Sequence, residues 1–271
     1  MQHQARKRFG QNFLIDQNII AAISSAIAAK SGEKLVEIGP GLGALTKHLL
    51  ESGADLTAIE LDRDLIPKLQ NQFEPFNNFT LINKDALKVN YSTLYPDVQS
   101  QRALRIVGNL PYNISTPLLF KLFESINCIA DMFFMLQREV VERLIATPSS
   151  SDWGRLGIMA QYFCRVEKLL DVAPSAFSPQ PKVNSAVAKF TPHVTPPYPV
   201  TNFFRFEEIV RKAFNMRRKT LKNSLSGLVS EKRMLDLDID PQLRPENLTL
   251  SQFASLSNAL PEEVGDNRSK L

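Results

Sequence analysis

Cysteine is almost missing from this chain: 271 residues contain only Cys128 and Cys164, and their spacing has no pairing pattern. The histidines His3, His48 and His193 are equally scattered. A disulfide framework needs a closely spaced even set, and a zinc centre needs Cys or His at short fixed intervals. Neither is supported, and a reducing, cytoplasmic compartment with no metal is expected. No apolar run approaches the roughly 18 residues of a spanning helix, so no membrane partner is expected. The nearest thing to an export signal, "RKR" followed by "IIAAISSAIAA", is a poor one. Asp16 and several amides separate the basic part from a stretch whose spacing suits an amphipathic helix.

What is present is enough apolar sequence, 44% against 22% charged, for one large core with residues left for a small second domain. The net charge of +4 says little by itself; its distribution says more. "VRKAFNMRRKTLKN" carries Arg211, Lys212, Arg217, Arg218, Lys219 and Lys222 with no acid among them, and Arg6, Lys7 and Arg8 form a second basic knot. A run of this kind is often only a solvated face. Interleaved Phe9, Phe13 and Phe214 point toward nucleic acid. Positions 211, 218 and 222 recur at helical spacing with 212 and 219 on an adjoining strip, provided the segment is helical on both sides of "NM".

From Lys34 to about Thr191, short apolar runs alternate with helical patterns. "KLVEIG", "DLTAIE", "FTLINKD", "LRIVGN" and "DMFFMLQ" read as buried strands, and Pro67 and Pro117 fall where first helical turns tolerate them. The alternation predicts an α/β fold, a mostly parallel sheet with helices on both faces. "TPHVTPPYPV" is too rich in proline to continue either element and reads as a linker. Residues 201–271 show only helical patterns, and "PEEVGDNRSKL" reads as a frayed tail.

"LVEIGPGLGALTKHLL" is a strand, a glycine-rich turn and a helix, with Gly39, Gly41 and Gly43 in the turn. The spacing is not that of the dinucleotide fingerprint, which argues against a nicotinamide or flavin enzyme. Glu60 ends the next strand, where a carboxylate can accept from both ribose hydroxyls. Asp85 ends the third strand, within reach of an adenine amine, and Glu37 adds a third negative group. Three carboxylates around one nucleoside repel a pyrophosphate but suit S-adenosylmethionine, whose sulfonium and ammonium are cationic.

"GNLPYNIS" then follows the fourth strand. The exocyclic amine of a base is a poor nucleophile because its lone pair is delocalised into the ring. The Asn109 side-chain oxygen and the Leu110 carbonyl, held outward by Pro111, can each accept one amine hydrogen and leave the lone pair aimed at a methyl donor. Tyr112 can stack on the base. Taken alone the motif also fits an Asn-Pro turn with a packed tyrosine.

In order along the chain, "RKRFGQNFL", "VEIGPGLGALT", "AIELDRDL", "KDAL", "GNLPYNIS", "FSPQPKVNSAV" and "AFNMRRKTLKN" give a sequence that resembles, nearly end to end, the small-subunit ribosomal RNA adenine dimethyltransferases of the KsgA type. The resemblance implies a Rossmann-like S-adenosylmethionine-dependent methyltransferase domain over residues 1–195, with a mostly parallel seven-stranded sheet and an N-terminal lid. A small all-helical RNA-recognition domain over 201–271 would follow it. The implied reaction places two methyl groups on N6 of each of two adjacent adenosines in a hairpin near the 3′ end of the rRNA, and the partner is a precursor of the small ribosomal subunit, bound by a monomer. By motif, Asn12 and Leu14 resemble a lid on the cofactor; Gly39, Gly41, Glu60, Asp85 and Asn109 resemble its loop, ribose and adenine contacts. Phe177 resembles a second ring sandwiching the target base opposite Tyr112; without the family it reads equally as a core aromatic. Two rival functions share these features: a large-subunit rRNA adenine methyltransferase of the antibiotic-resistance type, and a noncatalytic RNA-binding factor on the same fold. The intact cofactor loop, together with Asn109 and Tyr112, argues against the second.

Overall fold

The structure is a computed structural model and describes residues 11–95 and 102–260. Arg6, Lys7, Arg8, Phe9 and the tail from residue 261 lie outside the described residues.

A short strand β1 (Phe13–Leu14) precedes helix α1 (Gln17–Ile27). The Asp16 carboxylate caps α1 by accepting from the backbone N–H groups of Asn18 and Ile19, and Ile20, Ile23 and Ile27 bury its apolar face. "IIAAISSAIAA" is therefore an amphipathic helix, as its spacing implies. Then follow β2 (Lys34–Ile38), α2 (Ala44–Glu51), β3 (Asp55–Glu60), α3 (Ile66–Phe73), β4 (Phe79–Asn83), β5 (Leu104–Asn109), α4 (Ser115–Phe123) and β6 (Ile129–Gln137). Pro67 sits in the first turn of α3, where the missing N–H costs nothing. The chain continues through α5 (Arg138–Ile145), α6 (Arg155–Phe163), β7 (Cys164–Val172), β8 (Phe177–Ser178) and β9 (Ser185–Pro192). It ends with α7 (Phe203–Asn215), α8 (Leu221–Ser224), α9 (Glu231–Asp236) and α10 (Leu250–Asn258).

Among the described residues, seven strands form one sheet in the order β4-β3-β2-β5-β6-β9-β7. Strands β4, β3, β2, β5 and β6 are mutually parallel, and β9 runs antiparallel to β6. From β2 the chain builds outward to β3 and β4, then returns to the other side of β2 as β5. That reversal opens a crevice beyond the carboxyl ends of β2 and β5, the place where open α/β sheets bind ligands. The central strands are apolar on both faces, with Leu35, Val36, Ile106 and Val107 all buried, because helices cover both. On one face Leu35, Leu56, Val107 and Phe133 share a core with α1 and with Phe177. A separate two-stranded pairing sets Phe13 opposite Ser178 and Leu14 opposite Phe177.

The chain divides into two compact units, residues 1–141 with 166–192, and residues 142–165 with 193–271. This differs from the linear division of 1–195 from 201–271 in that the segment between β6 and β7 groups with the C-terminal helices. Trp153, fully buried, donates its indole N–H to the Leu248 carbonyl at 2.8 Å. Tyr162 stacks at a tilt on Phe206, ring centres 4.8 Å apart. Residues 142–165 thus supply part of the helical unit's aromatic core, which a C-terminal stretch of about 70 residues would be short of.

Candidate active site

The turn after β2 takes backbone angles that only glycine adopts without strain, with φ of +60° at Gly41 and +79° at Gly43. Gly41 is also closed in sterically: a Cβ there would stand 2.9 Å from the Phe13 ring, so β1 lies directly against the loop. At the neighbouring strand, a Cβ on Gly108 would meet the Ile38 carbonyl at 2.7 Å. The absence of a side chain lets β5 deliver Asn109 beside the glycine turn.

Around this junction lies a cavity of about 360 Å³, within the range of nucleoside-sized sites. It brings together Asn12, Leu14, Gly39, Gly41, Glu37, Glu60, Asp85, Asn109, Leu110, Pro111 and Tyr112, residues that arrive from the ends of four strands and from the N-terminal segment. Among the described residues, Lys84 is the one cation in the lining. Phe177 does not line it. That ring is 2 % exposed and packs in the core beside the sheet.

Each carboxylate is held in a different way. Glu60 accepts from the backbone N–H of Asp62 at 2.8 Å and of Gly41 at 3.3 Å, which fixes its plane against the glycine turn. Its neighbour Asp62 accepts from the Gln11 side-chain amide at 3.0 Å, tying the N-terminal segment to the end of β3. Asp85 accepts from the Leu87 N–H at 3.0 Å through one of its oxygens. Glu37, fully buried, accepts from the Thr46 hydroxyl at 2.6 Å. Burial pushes its carboxyl up to about 7; the Thr46 bond opposes the rise and the Glu60 charge adds to it. Burial also raises Glu60, against the pull of its backbone donors.

The Asn109 amide nitrogen donates to the Asn12 carbonyl at 2.9 Å. Only the nitrogen end of a carboxamide can face a carbonyl, so the oxygen end remains an acceptor at the cavity wall. Leu110 is buried with its N–H bonded to the Met135 carbonyl at 3.2 Å, joining the motif to β6. Tyr112, half-buried, exchanges a hydrogen bond with the Ser185 hydroxyl at 2.8 Å, and burial raises its phenol. Gln11, Thr46, Asp62 and Ser185 were not singled out from the sequence. Each lies inside a quoted motif, but nothing local marks which partner it finds.

The basic run behaves differently from its pattern. Helix α7 stops at Asn215 and residues 216–219 form a turn before α8, so no single helical strip joins 211 to 222. Arg217 pairs with Glu246 at 2.8 Å, Lys212 donates to the Ser226 carbonyl at 3.1 Å, and Arg211 approaches Glu208 at 3.9 Å. Arg218 and Lys219 are exposed, and they and Lys222 form no ion pair among the described residues.

Residues 2–262 match the model of the family described as ribosomal RNA adenine dimethylase. The chain is 55% identical over 265 residues to "Ribosomal RNA small subunit methyltransferase A" of Pseudomonas aeruginosa, covering 98% of each, and 50% identical to the protein of that name from Hahella chejuensis, covering 98% of this chain and 97% of the other. Among solved structures it is similar to a dimethyladenosine transferase from Plasmodium falciparum, with TM-score 0.76, 27% identity and coverage of 90% and 95%. The 23S rRNA methyltransferase ErmE shares the fold with TM-score 0.70 at 23% identity, covering 92% of this chain and 99% of that one. On the strength of the full-length family match and these identities, the chain belongs to the ribosomal RNA adenine dimethylase family.

Proposed function

We propose that this enzyme transfers methyl groups from S-adenosylmethionine to N6 of two adjacent adenosines in the 3′-terminal hairpin of small-subunit rRNA, acting on a precursor of the small ribosomal subunit. The observation that carries the reading is the orientation of Asn109. Its nitrogen is committed to Asn12, and its oxygen is left as an acceptor beside the carboxylate-lined cavity.

A cationic nucleoside suits this lining: three carboxylates face one lysine, and Leu42, Leu61 and Ile38 supply apolar walls. When bound, S-adenosylmethionine supplies an electrophilic methyl on a positively charged sulfur. Glu60, oriented by Gly41 and Asp62, would hold the ribose hydroxyls, and the Asp85 carboxylate would take the adenine amine. The Asn109 oxygen and the Leu110 carbonyl would accept the two hydrogens of the target amine and draw its lone pair out of conjugation. Tyr112 would stack on the target base, and Leu14 and Asn12 would cover the cofactor. Stabilisation of this kind acts mainly in the transition state. Lys and Arg on the helical unit, with Arg218, Lys219 and Lys222 the uncommitted members, would bind rRNA phosphates, joined by Arg6, Lys7 and Arg8; such contacts set position rather than sequence. Arg211, Lys212 and Arg217 would contribute less, each already having an intramolecular partner.

Mass spectrometry of small-subunit rRNA from cells with and without the protein tests the target. Dimethyladenosine should depend on the protein, and should be lost with Asn109→Ala while that variant still binds the particle. Modification of large-subunit rRNA instead, or near-normal turnover by Asn109→Ala, would overturn the proposal.

A further inference from the structure

Ser185 has no assigned part in the reaction, and its environment is unusual for a serine. It is the first residue of β9, wholly buried, and paired in register with Gln137 of β6. The backbone on either side is fixed too: the Arg138 N–H donates to the Asn184 carbonyl at 2.9 Å. The Ser185 hydroxyl therefore sits at a set point of the sheet, and its hydrogen bond is to the Tyr112 phenol at 2.8 Å. Ser185 does not line the cavity, whereas Tyr112 does. At the other end of Tyr112, the Ser115 hydroxyl donates to its backbone carbonyl at 3.1 Å, and Pro111 restricts the preceding residue. The phenol end of the ring and the backbone that carries it are thus both held. A phenol O–H lies in the plane of its ring, so a partner at a set point restrains ring tilt as well as swing about χ1.

We infer that Ser185 is a positioning residue for Tyr112, and that this hydroxyl pair governs the second methyl transfer to each adenosine more than the first. The inference rests on the reading of Asn109, Leu110 and Tyr112 given above. Each transfer forms an N6–C bond as the S–C bond breaks, the bonding pair stays on sulfur, and N6 releases one proton to solvent. In the first transfer the amine offers two hydrogens to two acceptors, the Asn109 oxygen and the Leu110 carbonyl. In the second, a methyl group has replaced one of them, and a single hydrogen is left to orient the nitrogen. Alignment then falls more heavily on the stacked ring, and a ring free to tilt fails there first.

The test is single-turnover methylation of an undermethylated small-subunit precursor, resolving monomethyl- from dimethyladenosine by mass spectrometry, with cofactor affinity measured by calorimetry. Ser185→Ala should leave S-adenosylmethionine affinity within about twofold and slow the second transfer by up to about tenfold, the usual upper worth of one neutral hydrogen bond. The first transfer should slow less, so that monomethyladenosine accumulates. Tyr112→Phe removes the same bond without touching the sheet and should give the same product profile. The double variant should be no worse than either single one, since the same shared interaction is removed in all three. A native product ratio in Tyr112→Phe, or additive effects in the double variant, would overturn the inference. Should Ser185→Ala fold poorly, Tyr112→Phe decides alone. Asn109→Ala, run alongside, separates the two levels: normal turnover there removes the underlying reading, whereas an inactive Asn109→Ala beside a native-like Tyr112→Phe removes only the role of Ser185.

Discussion

Glu37→Gln isolates the least comfortable group in the molecule. Glu37 is 3 % exposed, and its carboxyl is raised from 4.5 to about 7. A raised acid is favoured in its protonated form by folding. Its contribution is therefore fully present below about pH 4.5 and lost as pH climbs through about 7. At roughly 1.4 kcal/mol per pH unit, the loss amounts to about 3 kcal/mol between pH 4.5 and pH 8.5. Glutamine keeps the shape and can still accept the Thr46 hydroxyl through its amide oxygen, but it has no charge to bury. Urea denaturation of both proteins at pH 5 and pH 8.5 measures this directly. Between those two pH values the native protein should lose about 2.5 kcal/mol more than the variant, while changes arising from Glu60 and the other groups are largely common to both and cancel. The same substitution should weaken S-adenosylmethionine binding above pH 7, because a cation near Glu37 gains most from its ionised form. Equal pH dependence of stability in the two proteins would refute the reasoning, since it would mean that Glu37 is already solvated or paired in the native state.

Asp85→Ala and Glu60→Ala should each weaken S-adenosylmethionine binding by about 1 to 3 kcal/mol, the cost of one hydrogen bond involving a charged group, while Tyr112→Ala leaves it unchanged; calorimetry with the cofactor alone decides between these assignments. Phe177→Ala should lower stability by about 3 to 5 kcal/mol through a core cavity, whereas an unchanged melting curve with abolished methylation would favour a stacking role for that ring. Replacing Arg218, Lys219 and Lys222 together with Gln should weaken binding to the precursor particle and flatten its salt dependence by up to about 0.9 log units for each phosphate no longer neutralised. An unchanged salt slope would make that surface ordinary and turn attention to Arg6, Lys7 and Arg8.

Much of the site was legible in the sequence because its parts are local. Apolar runs at "LVEI", "LTAI", "FTLIN" and "RIVG" marked β2, β3, β4 and β5, and Glu37, Glu60, Asp85 and Asn109 stand at or next to the ends of those strands. Parallel strands put such ends on one edge of a sheet, so Glu37, Glu60, Asp85 and Asn109 converge whatever the loops do. What the pattern left out was governed by distance along the chain. β7 and β9 are read less easily because no ligand motif closes them, and the grouping of residues 142–165 with the C-terminal helices depends on where Trp153 finds Leu248, 95 residues away.

The basic run shows the limit from the other side. Helical spacing placed its charges on one strip, but the helix ends at Asn215, and Arg217 turns to Glu246. Phe177 was equally open, a ring that local sequence allows in a pocket or in a core; pairing of β8 with β1 buried it opposite Leu14. By itself, then, the sequence determined the strand-turn-helix frame, the acids at its edge and the acceptor motif, all of which follow from periodicity and chain connectivity within about 20 residues. The tertiary structure alone decided which atoms those groups would aim with. The Asn109 nitrogen is spent on Asn12, 97 residues away, and the Tyr112 phenol is fixed by Ser185, 73 residues away. Hydrogen-bond partners at such separations are chosen by packing of the whole sheet, and no local pattern carries that information.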